Sequence, residues 1–336
     1  MLMIKIDLIT GFLGAGKTSF IQKYAKQLLK EEQRIGIIES DYGAINIDLM
    51  ILQDLEEAGC DLEMVIGGNS PADHQRRLRS KLISMTMLGY QRIIVEPSGI
   101  YDVDEFFDLL HEEPLDRWYE IGNVITLLDA RLHTPLSNAS SYMLVSQAAS
   151  AGAIVLSRSQ LASAEELAST LSALEEAMQD FQCKKAISPI LFDQDWSSLT
   201  EEDWQKLLSC GYSYADYRKL PLSELSDYTS LFFMKESYPR LHLTAEELSD
   251  AAALTEKDEV SYYIKKATEA IFSDRSCGNV IRIKGFFSLP DAGYLQLNAS
   301  RQDFSLQKVA KGQEVLIVIG EDLKEAEIQK HLQSLS

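Results

Sequence analysis

The stretch Gly11-Phe-Leu-Gly-Ala-Gly-Lys-Thr18 matches the phosphate-binding loop G-x-x-x-x-G-K-[ST] in full. An apolar run from Met3 to Ile9 precedes it and is typical of a buried strand, and an amphipathic segment from Thr18 to Glu32 follows as a helix. Strand, loop and helix therefore occur in the order that this kind of loop requires. The chain is predicted to bind a nucleoside triphosphate on a P-loop NTPase fold.

Each residue type in the loop has a chemical reason to be there. The glycines let the backbone curl, so that successive N–H groups form an anion nest at a helix N-terminus. Lys17 is expected to reach the β- and γ-phosphates, and the Thr18 hydroxyl is expected to bind Mg²⁺. The residues predicted to contact the phosphates are Gly11, Gly14, Ala15, Gly16, Lys17, Thr18 and Ser19.

Composition narrows the class of protein. The 336 residues are 46% hydrophobic, enough for a large core, and the length favours two domains. With 32 Lys and Arg against 51 Asp and Glu, the net charge of −19 makes nucleic acid an unsuitable partner. An acidic surface is ordinarily solubilising, and recognition of a basic partner or of a cation is the alternative.

Nothing in the chain resembles a membrane anchor or a secretion signal. The longest apolar runs fall short of a membrane-spanning helix, and the first strand leads directly into the phosphate loop. The cysteines are scattered with no C-x-x-C spacing, as expected of reduced thiols, so the cytoplasm is the expected location; they are Cys60, Cys183, Cys210 and Cys277. The five histidines are equally scattered and are expected to be surface or packing residues.

Apolar strand patterns alternate with amphipathic helix patterns over the first part of the chain. This alternation predicts an α/β fold with a doubly wound, mainly parallel sheet. Beyond it, hairpin-like strands with segregated helices, including one over 245–254, indicate a smaller α+β domain. We predict a nucleotide-binding domain at 1–200, a linker at 201–226 and a C-terminal α+β domain at 227–336.

A P-loop also needs an acidic residue at the end of a neighbouring strand to hold Mg²⁺, directly or through water. Glu96 is the candidate, because it follows the apolar run Ile93 to Val95, and Gly99 three residues later is placed to offer its N–H to the γ-phosphate. Glu39, Asp41 and Asp48 lie in another loop that is predicted to close over the metal, and any one of them is equally well a plain loop carboxylate. The predicted hydrolytic residues are Lys17, Thr18 and Glu96, and the predicted Mg²⁺ ligands are Thr18, Glu96, Glu39 and Asp41.

Together these elements resemble the CobW family, P-loop GTPases and metallochaperones related to the proteins that insert nickel into hydrogenase and urease. The resemblance rests on the loop at 11–18, Glu39-Ser-Asp-Tyr-Gly-Ala-Ile-Asn-Ile-Asp48, Val95-Glu-Pro-Ser-Gly99 and Val280-Ile-Arg-Ile-Lys-Gly-Phe286, and extends to Val315–Leu323. It implies GTP binding and hydrolysis coupled to handling zinc or cobalt, or to cobalamin metabolism.

The chain departs from the family at its metal motif. A Cys-x-Cys-Cys sequence usually follows the first switch region, and here Ile66-Gly-Gly-Asn-Ser-Pro71 stands in its place. The thiolate ligands of the family-type zinc site are missing, so no such site is expected. A rebuilt site is the alternative to surface roles for Cys60, Glu63, Asp73 and His74, whereas the basic cluster from Arg76 to Lys81 disfavours a cation.

A second departure concerns the nucleobase. Related GTPases use Asn-Lys-x-Asp, in which the Asp accepts two hydrogen bonds from guanine, and here the segment reads Ser157-Arg158-Ser159-Gln160. Arg158 can lie along the base, but the neutral amide of Gln160 cannot accept twice as a carboxylate does. Guanine selectivity is expected to fall by about 1–3 kcal/mol, which leaves ATP, relaxed specificity or weak binding as alternatives. The residues predicted to face the base are Ser157, Arg158 and Gln160.

The sequence favours a Mg²⁺-dependent hydrolase of GTP, or of ATP, with low intrinsic activity. Its nucleotide state would act as a switch on a client metalloprotein or corrinoid protein. A non-hydrolysing scaffold with a degenerate base site is the alternative, and a small-molecule phosphotransferase lacks an evident acceptor site.

Overall fold

The computed structural model describes residues 3–30, 34–41, 52–67, 71–221, 228–234, 237, 256–289, 293–310 and 312–333. The chain divides into two compact units, Met1–Leu220 and Pro221–Ser336. The predicted helix at 245–254 lies outside the described residues, as do Asp48 and 68–70 of the predicted metal-motif segment.

The first unit is built on a seven-stranded sheet whose strands all run parallel, in the order β3-β2-β4-β1-β5-β6-β7. The strands are β1 (Ile4–Gly11), β2 (Ile35–Asp41), β3 (Asp61–Ile66), β4 (Arg92–Pro97), β5 (Tyr119–Asp129), β6 (Ala153–Ser157) and β7 (Leu191–Phe192). The helices are α1 (Lys17–Leu29), α2 (Gln53–Glu57), α3 (Pro71–Met85), α4 (Val103–His111), α5 (Asn138–Ala149), α6 (Ala164–Asp180) and α7 (Glu201–Leu208).

Helices cover both faces of this sheet, so its strands are apolar on both sides. Neighbouring residues of one strand therefore enter different cores: Ile94 packs with Phe20 of α1, whereas Ile93 packs with Leu82 of α3 and Phe106 of α4. The prediction of a doubly wound parallel sheet is confirmed.

Residues 201–220, expected to belong to a linker, are part of the first unit. A capping box between Thr200 and Asp203 starts α7, and Trp204 and Leu207 of that helix are buried in the core that also holds Phe20. The division between the units falls after Leu220.

A buried polar network ties together the strands that carry the site. Asp7, in the middle of β1, is fully buried and accepts hydrogen bonds from Arg92 Nη1 (2.8 Å), the Tyr24 hydroxyl (2.8 Å) and the backbone N–H of Asn123 (2.8 Å). Burial raises the pKa of the Asp7 carboxyl, and the Arg92 guanidinium opposes that rise. Losing one partner would strand a buried charge, which costs about 3–5 kcal/mol.

The second unit is a five-stranded antiparallel sheet in the order β11-β10-β9-β12-β8, with helices packed on it. Its strands are β8 (Tyr228–Phe233), β9 (Asn279–Leu289), β10 (Gly293–Ser300), β11 (Phe304–Val309) and β12 (Val315–Glu321), and its helices are α8 (Glu256–Ser273) and α9 (Glu325–Gln333). The predicted smaller α+β unit is therefore present. In the part of the chain that the structure describes, no helix is both long and apolar enough to cross a membrane.

Candidate nucleotide-binding site

The loop between β1 and α1 has the backbone shape of an anion nest. Gly16 caps α1 with a positive φ of 84°, which strongly favours glycine. The turn is closed by a hydrogen bond from the N–H of Ala15 to the carbonyl of Phe12 at 3.1 Å. Buried Lys17 spans the loop and donates from Nζ to the carbonyl of Gly11 at 3.3 Å. The loop is thus formed and its lysine is folded back over it.

Carboxylates gather beside the loop at the carboxyl edge of the sheet. The buried Thr18 hydroxyl donates to Oε1 of buried Glu96 at 2.9 Å. Glu39 of β2 lies opposite Glu96 of β4 in the strand register, so both side chains leave the sheet on the same face, and Asp41 follows on that face at the end of β2. This set of hard oxygen donors fits Mg²⁺ rather than a thiol-seeking metal.

Gly99 lies directly against the phosphate loop. A Cβ at this position would lie 2.8 Å from the backbone nitrogen of Leu13 and 2.9 Å from its Cα, so only a glycine fits there without movement. The carbonyl of Gly99 accepts a hydrogen bond from Nε2 of fully buried Gln147 at 3.1 Å. The loop after β4 is therefore in backbone contact with the loop after β1.

Arg158 is also held by the phosphate loop. Its Nη1 donates to the carbonyl of Gly14 at 2.9 Å and forms an ion pair with Asp129, and its backbone has a φ of 56°. Ser157 before it is buried at the end of β6, and Gln160 after it is exposed. The three residues predicted to face the base thus lie in different environments.

Trp196 lies against the phosphate loop near Gly16, a position that its sequence does not indicate. Its indole donates from Nε1 to the carbonyl of Leu156 at 2.8 Å and packs edge-on against Phe20. A Cβ on Gly16 would lie 3.3 Å from the indole ring carbon Cη2. A lone tryptophan after a two-residue strand carries no sequence signal for such a position.

The residues considered for a rebuilt metal site are engaged elsewhere. Glu63 forms an ion pair with Lys81 (2.6 Å) and Asp73 pairs with Arg76 (2.6 Å). Cys60 is buried in the core beside α1, which raises the pKa of its thiol to about 11. Among the described residues, the four candidates, including His74, belong to no cluster of converging metal-ligand atoms.

His74, the fourth of these residues, is a buried packing and hydrogen-bonding residue. Its Nδ1 is 3.0 Å from the carbonyl of Gly67 and its Nε2 is 2.8 Å from the Ser40 hydroxyl. Because a carbonyl only accepts, Nδ1 carries the proton and Nε2 accepts from Ser40. Burial lowers the pKa of the imidazole, which favours this neutral form.

Comparison with known proteins identifies the family. The family model described as "CobW/HypB/UreG, nucleotide-binding domain" matches residues 5–188. The model described as "Cobalamin synthesis protein cobW C-terminal domain" matches residues 263–336. The chain belongs to the CobW family. Every predicted nucleotide and Mg²⁺ residue of this CobW-family chain, from Gly11 to Gln160, lies within the first matched segment.

Curated relatives of this CobW-family chain include two proteins of Escherichia coli (strain K12). The zinc chaperone YeiR is 28% identical over 158 residues, 47% of each chain, and the zinc chaperone YjiA is 26% identical over 139 residues, 38% of this chain and 41% of that one. The chain thus matches about half the length of these relatives or less.

Solved structures similar to this one include the Zn(II)-bound YjiA GTPase from E. coli, with a TM-score of 0.35, 16% identity and full coverage of both chains. Hydrogenase maturation factor HypB from Archaeoglobus fulgidus has a TM-score of 0.40 and 17% identity, with 61% of this chain and 87% of that chain covered.

Proposed function

We propose that this CobW-family protein binds Mg²⁺ with GTP, or with ATP, hydrolyses it slowly and acts as a nucleotide-dependent switch in the maturation of a metal-containing or corrinoid protein. The observation that carries the proposal is the hydrogen bond between Thr18 and Glu96, because it joins the phosphate loop to the neighbouring strand end where Mg²⁺ would bind. The scattered, reduced-type cysteines favour a cytoplasmic setting for this role.

The residues of the phosphate loop have distinct roles in this proposal. Backbone N–H groups between Gly14 and Ser19 bind the phosphate oxygens, and Lys17 exchanges its contact with the Gly11 carbonyl for the β- and γ-phosphates. Thr18 and Glu96 hold Mg²⁺, and Glu39 and Asp41, on the same face of the sheet, supply further oxygen donors. The bound ion neutralises charge on the phosphates.

Switching would follow from the contact between Gly99 and the phosphate loop. In this proposal the N–H of Gly99 binds the γ-phosphate, from a loop that already lies against Leu13. Loss of the γ-phosphate removes that bond, and the loop after β4 is then free to move against α4, which follows it. We assign no side chain to the positioning of the attacking water, so slow intrinsic turnover is part of the proposal.

The Arg158 contacts bear on which base is bound. Because its guanidinium is already engaged by Gly14 and Asp129, Arg158 offers the base mainly its planar face and aliphatic stem. Exposed Gln160 has one acceptor oxygen where related GTPases have a carboxylate. We therefore infer weak discrimination between guanine and adenine.

The test is phosphate release with GTP and with ATP, each with Mg²⁺, for wild type, Lys17→Ala and Gln160→Asp. Wild type should turn over slowly and Lys17→Ala should not, whereas Gln160→Asp should improve the preference for GTP by about 5- to 150-fold, equivalent to about 1–3 kcal/mol.

A non-hydrolysing scaffold is the second candidate, favoured by the substitutions at Ser157 to Gln160. Tight nucleotide binding without measurable turnover of either triphosphate would establish it and overturn the hydrolase proposal. Turnover that is equal in wild type and Lys17→Ala would come from a contaminant and would also contradict the hydrolase proposal.

A further inference from the structure

Three side chains with metal-binding atoms converge in the second unit, which contains none of the residues assigned to the nucleotide site. Asp274, Cys277 and His331 each offer one ligand atom, and these atoms all lie within 4.8 Å of one another. Asp274 and Cys277 flank the short turn between α8 and β9, and His331 lies on α9. They supply a carboxylate oxygen, a thiol sulfur and an imidazole nitrogen.

The turn fixes the first two residues by backbone bonds. One carboxylate oxygen of Asp274 caps the turn by accepting from the N–H of Ser276 at 2.9 Å, and the N–H of Cys277 donates to the carbonyl of Asp274 at 3.0 Å. The carbonyl of Cys277 accepts from the N–H of Lys324, just before α9, at 3.0 Å. The same bonds that close the turn also tie it to the helix that carries the third residue.

The side chains point toward one another inside this frame. The second carboxylate oxygen of Asp274 lies 2.7 Å from Nε2 of His331, and Cys277 is fully buried in the core of the unit. Glu327 lies one helical turn before His331, on the same face of α9. Glu327 is bound by Lys330 at 2.6 Å and is half-buried.

An aspartate–histidine pair alone is a common structural contact, but the added thiol changes the chemistry of the site. Sulfur and imidazole nitrogen are ligands of Zn²⁺ and Co²⁺, whereas Mg²⁺ and Ca²⁺ prefer oxygen alone. Bond lengths of about 2.0–2.3 Å to a tetrahedral ion place its ligand atoms about 3.5 Å apart, so small side-chain movements within the 4.8 Å limit would suffice.

We propose that Asp274, Cys277 and His331 form a binding site for a divalent transition metal of the Zn²⁺ and Co²⁺ class, with one position open. On binding, the S–H bond of Cys277 breaks, the sulfur binds the ion, and the proton passes to solvent. The proton that Nε2 of His331 shares with Asp274 also passes to solvent while Nδ1 carries one, so the Nε2 lone pair binds the ion, and Asp274 gives the oxygen that now faces the imidazole. Glu327, on the same face of α9 as His331, is a candidate carboxylate for the open position.

This site goes beyond the proposed nucleotide function and shares no residue with it. It gives His331 a metal-binding role, whereas the sequence alone favours a surface or packing role. The open position distinguishes it from a closed structural zinc site, because a fourth ligand from solvent or from another molecule can enter and leave.

The test uses two titrations of the nucleotide-free protein. In the first, the protein competes with a chromophoric chelator for Zn²⁺ in excess Mg²⁺, which measures the Zn²⁺ affinity. In the second, Co²⁺ is added and the absorption spectrum is recorded. Wild type and Lys17→Ala should bind one equivalent and show a thiolate-to-cobalt charge-transfer band. Cys277→Ser should lose that band, and both Cys277→Ser and His331→Gln should bind Zn²⁺ at least about 100-fold more weakly. Cys183→Ser is the matched control, because it removes another buried thiol from the first unit and should bind as wild type does.

Two further readouts keep the result decisive. His331→Gln replaces a partly exposed side chain, so the variant should fold, and its thermal unfolding without metal checks this. Zn²⁺ should raise the unfolding temperature of wild type but not of His331→Gln. Equal Zn²⁺ affinity in wild type and His331→Gln, or a charge-transfer band that survives in Cys277→Ser and is lost in Cys183→Ser, would overturn the proposal.

Discussion

Replacing Gly99 by alanine tests the contact between the two loops of the nucleotide site. The new Cβ would lie 2.8 Å from the Leu13 nitrogen and 2.9 Å from the Leu13 Cα, whereas ordinary contacts begin at 3.4 Å. The two backbones must therefore separate by about half an ångström, and overpacking of this kind costs about 1–3 kcal/mol. The Gln147 bond to the Gly99 carbonyl resists that movement.

The cost should fall mainly on the triphosphate state, because the N–H of Gly99 is assigned to the γ-phosphate. We expect the affinity for a non-hydrolysable GTP analogue to fall by about 5- to 150-fold in Gly99→Ala, and the affinity for GDP to fall much less. Calorimetric titration of both nucleotides with Mg²⁺ measures the two ratios.

Gly293→Ala is the matched control, since its Cβ would meet the mobile end of Lys308 at 3.3 Å and the Val309 carbonyl at 3.4 Å, in the other unit. An unchanged GTP-to-GDP affinity ratio in Gly99→Ala, together with an unchanged unfolding temperature, would refute the reasoning.

Three further predictions follow from single contacts. Arg158→Met, which removes the half-buried ion pair with Asp129, should lower the free energy of unfolding in urea by about 1–2 kcal/mol, and an unchanged midpoint would contradict the account. Folding lowers the pKa of His74 from 6.5, so below pH 6.5 the unfolded chain binds more protons at this residue than the folded protein does. Wild type should therefore lose stability as the pH falls below 6.5, by up to about 1.4 kcal/mol per pH unit. Urea unfolding at pH 7.5 and 5.5 should show this loss reduced in His74→Gln, and an equal loss in both proteins would disprove it. Nucleotide binding should change the fluorescence of Trp196, which lies beside Gly16. The change should vanish in Trp196→Phe and persist in the control Trp118→Phe. A fluorescence change that survives in Trp196→Phe would show that Trp196 does not lie at the nucleotide site.

Local sequence patterns were sufficient for the elements that are apolar or capped. The run before the phosphate loop forms β1, and α4 spans Val103–His111, because Asp102 caps it and its apolar residues lie on one face. The strand β3 has a weaker sequence signal, because Asp61 and Glu63 interrupt its apolar residues and it lies at the edge of the sheet, where Met64 is exposed.

Tertiary contacts explain what the patterns did not reveal. The predicted linker at 201–226 includes Trp204, yet the buried face of α7 makes this residue part of the first core. Arg158 reaches the carbonyl of Gly14 across 144 positions of sequence, and Trp196 reaches the start of α1 from a loop with no periodic signal. The meeting of Asp274 with His331 likewise depends on how α9 packs on the second sheet. Contacts of this kind follow from packing and have no local signature.

The most direct test of the central claim is calorimetric titration of GTP into wild type and Lys17→Ala, each with and without Mg²⁺. Wild type should bind one equivalent with an affinity that depends on Mg²⁺, and Lys17→Ala should bind at least about tenfold more weakly, because a charged hydrogen bond to the phosphates is lost. The same affinity in both proteins, or GTP binding by wild type that does not respond to Mg²⁺, would contradict a Mg²⁺–triphosphate site at Gly11 to Thr18.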